Sequence, residues 1–247
     1  MLQDTAISTI DYVRSKTDTC ILMCSLGKDS IVLLDMIYPK FKKIYCVFMY
    51  FVKGLTHIER WINWLKYKYP DVEFVQIPHF SLTTVLKGGL LCVPHPNLRS
   101  LTLKHVIAGL KKRFGCDYVF LGMKKADGMN RRLMLKGYEK CNYVFNGQCY
   151  PLADYTQKHI LSYMKHHNLP DPVRYSKKAS SGVGFDMDCF LWLEEHFPED
   201  LEKIYKVFPF RRRLLYEYHY KQQLKEENYG KEKIQGGEHT VSDEEEG

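Results

Sequence analysis

The sequence predicts an α/β fold in which helices flank a parallel sheet and the C-terminal part is helical. Three observations lead there. Four short runs rich in branched or aromatic residues, Thr19 to Cys24, Lys43 to Tyr50, Val72 to Ile77 and Asp117 to Gly122, alternate with segments of helical period. Their hydrophobicity is continuous rather than alternating, as in strands covered on both faces. After Pro151 the pattern turns wholly helical.

Taken in order, the first strand at Thr19 is followed by the amphipathic run Ile31 to Ile37. Thr56 with Glu59 forms the pattern of a capping box ahead of Trp61, Trp64 and Leu65, and Ser100 opens a helix that Gly115 closes. Between them, Phe80 to Arg99 carries Gly88-Gly89, Pro94 and Pro96, and a connection of that length in a compact domain is expected to be a functional flap. The later helices are expected at Thr156 to His167, Phe185 to Phe197 and Phe208 to Leu224. One ordered domain over residues 1–225, helical from about 151, is then followed by an acidic tail at 226–247 too poor in apolar residues to order.

A chain of 247 residues, 45% hydrophobic, suffices for one sizeable core. Its net charge of +7 is unevenly placed, because the last 27 residues hold four Lys against eight acids. The body is therefore basic and suited to anionic ligands: nucleotides, sulfated or phosphorylated metabolites, or nucleic acid. No stretch approaches the roughly 18 to 20 apolar residues of a membrane span, and no secretory leader pattern opens the chain, so a cytoplasmic protein without a membrane partner is expected. The eight Cys include no C-x-x-C pair, and neither zinc nor an iron–sulfur cluster is expected.

The chemistry is concentrated after the first strand, in Ser25-Leu26-Gly27-Lys28-Asp29-Ser30. A turn between a strand and a helix start directs backbone amides to the carboxyl edge of the sheet, where they bind phosphate. Gly27 allows close approach of an anion, Ser25 and Ser30 supply hydroxyls, and Lys28 supplies a point charge. Asp29 beside phosphates calls for a cation, and Mg²⁺ is the natural one, with Asp29 its ligand. The segment is not a Walker loop, since Leu22 stands where its first Gly would be and Asp29 where Ser or Thr would follow Lys. A second cluster, Gly122-Met123-Lys124-Lys125-Ala126-Asp127 through Arg131-Arg132, begins at the end of the fourth strand, at the same edge.

Ser25 to Ser30 resembles the S-G-G-x-D-S pyrophosphate loop of the adenine nucleotide alpha hydrolase superfamily, with Leu26 in place of Gly. The Gly122 segment resembles the G-x-R-x-x-E/D-S stretch, followed by Arg, of PAPS reductase and ATP sulfurylase small-subunit relatives, with Lys124 where Arg is usual. Pro151-Leu152-Ala153-Asp154-Tyr155-Thr156, with Ile160, Tyr163, His167, Leu169, Pro170 and Tyr175 beyond, resembles the P-L-x-D-W-T signature and helix of that family. Residue by residue, Asp154 or Thr156 caps a helix that docks on the sheet. After the second strand the family reads Asp-Thr-Gly, whereas Met49-Tyr50-Phe51-Val52 stands here, with Met49 placed to read the adenine edge and Tyr50 or Phe51 to stack on it.

The resemblance spans Thr19 to Tyr175 and implies a Rossmann-like fold, an adenine nucleotide (ATP or a PAPS-type nucleotide), and a link to sulfur metabolism or sulfur modification. Compact relatives occur in phages and mobile elements, which implies an accessory modification or metabolic role. The reductases' Glu-Cys-Gly-x-His motif is missing, and the last cysteine, Cys189, stands among acids in Asp186-Met187-Asp188-Cys189. Adenylyl transfer with cleavage between the α and β phosphates is therefore expected. In it the loop amides and Lys28 hold pyrophosphate, and Lys124, Arg131 or Arg132 stabilises developing charge. Reduction of a sulfonucleotide by a displaced cysteine, or nucleotide binding without turnover, are the alternatives, and the second substrate is undetermined. His79, His95 and His105 lie around the flap as candidates to meet that substrate. Arg211-Arg212-Arg213 with Tyr216, Tyr218 and Tyr220 has the composition of a nucleic-acid surface or of a solvated helix face.

Overall fold

The computed structural model describes residues 2–89, 91–172, 175 and 186–237, with side chains described within 5–227. The chain runs α1 (Leu2–Arg14), β1 (Thr19–Met23), α2 (Lys28–Ile37), β2 (Lys43–Tyr50), α3 (Thr56–Lys68), β3 (Val72–Pro78), α4 (Leu82–Gly88), α5 (Leu103–Phe114), β4 (Val119–Leu121) and α6 (Met129–Lys136). It continues with β5 (Val144–Phe145), β6 (Gln148–Cys149), α7 (Gln157–His166), α8 (Met187–His196), α9 (Pro198–Val207) and α10 (Arg212–Gly237). The six strands lie in the order β3-β2-β1-β4-β6-β5, all neighbours parallel except the β5–β6 pair. This is the Rossmann-like α/β arrangement that the four apolar runs predict.

Residues of β1 alternate between two cores, as a pleated strand requires. Cys20 and Leu22 pack with Ile10 of α1, Ile31 and Leu34 of α2, Ile62 of α3 and the C-terminal helices, whereas Ile21 and Met23 pack with Ile107 and Leu110 of α5 and Leu135 of α6. The chain builds outward from β1 to β2 and β3, then returns to place β4 on the other flank of β1. Order reverses at β1, which opens a crevice beyond the carboxyl ends of β1 and β4.

Several local expectations are corrected. Thr56 and Glu59 form no capping box: Leu55 is the N-cap, the N–H groups of Thr56 and His57 donate to Asp200 (2.7 and 3.1 Å), and Glu59 accepts from Gln76. The helix placed from Ser100 starts at Leu103, capped reciprocally by Thr102 and His105, so His105 serves its own helix end. The Phe80 to Arg99 connection contains α4, and Leu91 and Cys92 within it are buried. Helices α1 and α9 and the β5–β6 hairpin escape the period analysis. The hairpin's signal is Asn146-Gly147, both at positive φ (48° and 72°), the turn that matches strand twist. A Cβ at Gly147 would stand 2.1 Å from the Asp117 carbonyl oxygen, so the position excludes every other residue.

At the C-terminal end, α10 runs on past Glu226, where the sequence places the start of a disordered tail, to Gly237. Lys, Glu and Gln are good helix formers, so a segment rich in them takes helical form. The acidic stretch at Ser242 to Glu246 and the predicted helix start at Phe185 lie outside the described residues. No helix among the described residues is long and apolar enough to cross a membrane.

Candidate functional site

The crevice is a cavity of about 650 Å³ with two unlike halves. Ser25, Gly27, Lys28, Asp29, Ser30, Gly122, Asp127 and Arg131 line one half; Phe48, Met49, Tyr50, Phe51, Val52, Leu55, Ile58, His79, Phe80 and Leu103 line the other. One half is polar and built from a helix start, the other is aromatic and aliphatic.

The polar half begins where β1 ends. Gly27 is the N-cap of α2, and its carbonyl accepts from Ile31 N–H (3.1 Å) and Ser30 Oγ (2.9 Å). The first-turn N–H groups of Lys28, Asp29 and Ser30 have no acceptor within the helix and open on the cavity that these residues line. Gly122, at the end of β4, packs on this turn: a Cβ there would sit 3.4 to 3.5 Å from Asp29 and Ser30.

Leu26 is the one non-glycine residue of this loop in the left-handed region (φ 62°), the conformation that glycine adopts at no steric cost. Its side chain is 5% exposed in the core rather than on the cavity wall, and its carbonyl accepts from Trp61 Nε1 (3.3 Å). The loop thus keeps a glycine-like backbone, stabilised by apolar burial against a left-handed cost of roughly 1–2 kcal/mol. Leu26→Gly is expected to melt higher than Leu26→Ala, by about 1 kcal/mol in stability, the reverse of the usual Ala-over-Gly order. Paired thermal melts of the two variants check this.

Asp29 is held by cations. Lys124 Nζ lies 2.7 Å from Asp29 Oδ2 and 3.0 Å from Asp127 Oδ1, with Lys28 Nζ 3.6 Å from Asp29 Oδ2. Lys124 is 3% exposed and not on the cavity wall. Asp127 Oδ2 accepts from the Lys124 backbone N–H (2.9 Å) and from the Arg131 guanidinium (2.7 Å). Burial alone would raise the Asp127 carboxyl, but the bonds from Lys124 and Arg131 prevail and hold it below the usual carboxylate range. Asp29 Oδ1 is buried and has no hydrogen-bond partner among the described residues.

The structure therefore gathers Ser25, Gly27, Lys28, Asp29, Ser30, Met49, Gly122 and Arg131 on one cavity and sets three predicted residues off its wall. Leu26 is in the core, Lys124 is buried behind Asp29, and Arg132 is exposed outside. Lys125 turns away to Asp154 (2.7 Å), Tyr143 Oη (2.8 Å) and Glu139. Asp154 thereby ties the β5–β6 segment to the Gly122 segment, and Thr156 is the cap of α7. No group of three or more His, Cys, Asp or Glu placed to hold a metal occurs among the described residues.

In the apolar half, Val47 C=O accepts from Cys24 N–H on the β1 side (2.9 Å), and Tyr50 C=O accepts from His79 N–H on the β3 side (2.8 Å). Backbone groups of a strand alternate in direction, so those of Met49 turn toward the flank where β1 has ended. Phe48, Leu55, Ile58, Phe80 and Leu103 were not predicted. They share a position at or just beyond a strand's carboxyl end or at a helix entry, which period analysis does not single out.

Among the thiols, Cys189 is fully buried, and burial with the Asp186 charge pushes it up to about 12. Cys24 lines the cavity, its Sγ 3.6 Å from Ser30 Oγ. On α10, Arg212 pairs with Glu202 (2.9 Å) and Arg213 with Glu217, while Tyr216 and Tyr220 stack on one another in solvent. Two of the three guanidiniums are thus met by carboxylates of the chain itself, as on a solvated face.

No protein-family model and no curated protein sequence matches the chain. Among solved structures it is similar to the NH3-dependent NAD synthetase of Campylobacter jejuni in complex with the nitrate ion, with 14% identity, 68% of this chain and 74% of that chain covered, and a TM-score of 0.47. It is similar also to the FMN adenylyltransferase of Candida glabrata in complex with FMN and the ATP analogue AMPCPP, with 14% identity, 79% and 73% coverage, and a TM-score of 0.45.

Proposed function

We propose that this chain binds ATP in the two-part cavity and cleaves it between the α and β phosphates, transferring the adenylyl group to a second substrate. The observation that carries this reading is the meeting, in one cavity, of a helix start with free amides and Lys28 and an aromatic half bordered by the backbone of Met49. A pyrophosphate suits the first half and a purine the second.

Lys28 and the α2 amides would hold the leaving pyrophosphate, and Arg131 would meet charge developing at the α phosphate. Lys124 is a positioning residue, since its ammonium fixes Asp29 from behind. The buried Asp29 Oδ1, lacking a protein partner, fits a Mg²⁺ ligand, because this ion takes one or two carboxylate oxygens and completes its shell with phosphate and water. When bound, Mg²⁺ would neutralise charge on the phosphates. The finer assignment, a PAPS reductase-like protein serving sulfur metabolism or modification, is supported by the three motif resemblances alone.

The test is incubation with α-labelled ATP and Mg²⁺, following release of pyrophosphate and formation of labelled adenylate. Lys28→Ala is expected to lower the rate at least about 100-fold. Intact ATP together with thioredoxin-dependent sulfite release from PAPS, lost in Cys24→Ser, would instead identify a reductase using the Cys24 thiol on the cavity wall. A rise in melting temperature with ATP but no turnover would leave a binding protein.

A further inference from the structure

We infer that His79 is a fixed, neutral hydrogen-bond donor that reads a ring nitrogen of the nucleotide's purine; this rests on the nucleotide reading above. Three elements immobilise the imidazole. Phe51, following β2, stacks on it at 4.5 Å and 22°, and Phe80 at 4.4 Å and 30°. The backbone N–H of His79 is held by the Tyr50 carbonyl, and its own carbonyl accepts from Leu82 N–H (2.9 Å) at the start of α4.

With Phe51 and Phe80 stacked on the ring, its edge is what remains for polar contact, and one of the two nitrogens is already taken. Nδ1 accepts from Ser81 N–H (3.1 Å), so it carries no proton, and in the neutral ring the proton sits on Nε2. Protonating Nδ1 would set two N–H groups against each other. Burial works in the same direction, lowering the His79 pKa from its ordinary value. His79 lines the apolar half of the cavity, and no protein partner holds Nε2 among the described residues.

A single neutral donor on an aromatic wall suits an uncharged acceptor better than a phosphate, for which the cavity already supplies Lys28, Arg131 and helix amides. A purine offers such acceptors at its ring nitrogens. If the Met49 backbone takes the Watson–Crick edge, N3 and N7 remain for His79, and both share the chemistry of an sp² nitrogen accepting one N–H.

The experiment measures equilibrium binding of ATP, 3-deaza-ATP and 7-deaza-ATP to the full chain, to His79→Phe, which keeps a stacking ring, and to His79→Gln, whose amide can replace the Nε2 donor. The wild-type protein is expected to bind one of the two analogues about threefold to tenfold more weakly than ATP, the worth of one hydrogen bond. Which analogue is weakened identifies the nitrogen. His79→Phe should bind ATP and that analogue equally, and His79→Gln should restore the difference. Nitrogen NMR of histidine-labelled wild-type protein supplies a readout independent of folding in the variants: His79 should show the Nε2–H neutral form, with its Nε2 resonance moved by ATP. Equal binding of all three nucleotides by wild type, a difference that survives in His79→Phe, or an Nε2 resonance unmoved by bound ATP each overturns the assignment. Failure of the wild type to bind any of the nucleotides overturns the nucleotide reading itself, and so is distinguishable.

Discussion

Replacing Lys124 by Ala is expected to destabilise the chain by about 3–5 kcal/mol, the range found when one partner is removed from a buried ion pair. The ammonium is buried between Asp29 and Asp127 at 2.7 and 3.0 Å, and its loss leaves two carboxylates facing one another with Lys28 and Arg131 as the remaining cations. Chemical denaturation followed by circular dichroism measures the loss. Lys124→Met is the sharper comparison, because it keeps the packed stem and removes only the charge. Should Lys124→Met prove as stable as wild type, the carboxylates would be compensated from elsewhere and the positioning role assigned to Lys124 would fail. Nucleotide binding should fall with stability in both variants, because Asp29 loses the group that orients it.

The second large effect is expected at Asp200, which is not among the residues that line the cavity. This carboxylate is fully buried and accepts from Thr56 N–H, His57 N–H, His57 Nδ1–H (2.7 Å) and Lys203 Nζ (2.8 Å). It takes the place of the missing capping box, joining α9 to the start of α3. That start carries Leu55 and Ile58 to the cavity. Burial lowers the His57 pKa despite its acidic neighbour, so the imidazole is neutral, donating from Nδ1 to Asp200 and accepting at Nε2 from Tyr175 Oη (2.9 Å). The compensating charge is Lys203.

Asp200→Ala should cost about 3–5 kcal/mol, because it leaves the Thr56 and His57 N–H groups and His57 Nδ1–H without their acceptor, whereas Lys203 keeps Gly54 C=O (2.7 Å) and Thr56 Oγ1 (2.8 Å). The pH dependence has a definite sign. Burial would raise Asp200, but the bonds from Lys203, Thr56 and His57 outweigh it and place the folded-state value well below that of the unfolded chain. A depressed carboxylate contributes stability in full above its unfolded value, about 3.9, and loses it as pH falls further toward the folded value. Melting temperatures between about pH 5 and pH 2.5 should therefore drop less steeply in Asp200→Ala than in wild type. Parallel slopes would show that Asp200 is not the linked group.

Local chemistry alone determined much of this protein. The four apolar runs are β1 to β4 to within two residues at each end, because buried parallel strands need unbroken hydrophobic stretches bounded by turn residues. The loop between β1 and α2 was legible for a similar reason: strand, glycine and helix start are consecutive, so the turn at Ser25 to Gly27 and the first turn of α2 follow from the order of residues. The β5–β6 hairpin went unread although Asn146-Gly147 carries its signal, because two residues are too short for a periodic pattern.

Tertiary structure decided what depends on distance along the chain. Lys124 looked like one more cation at the sheet edge, yet its 95-residue separation from Asp29 closes when β4 lies beside β1, and it becomes a buried counter-charge. Thr56 and Glu59 formed a plausible cap in sequence, but a buried carboxylate 144 residues away offers the helix start a stronger acceptor than a threonine hydroxyl. His79 was marked with His95 and His105 as a candidate to meet the second substrate, without anything that set it apart from the other two. The donor role proposed for it draws on its neighbours Phe80 and Ser81, but also on Phe51, which β2–β3 pairing brings onto the ring. Periodicity reports which residues are buried; which polar groups meet in that low-dielectric interior is set by the order of the strands.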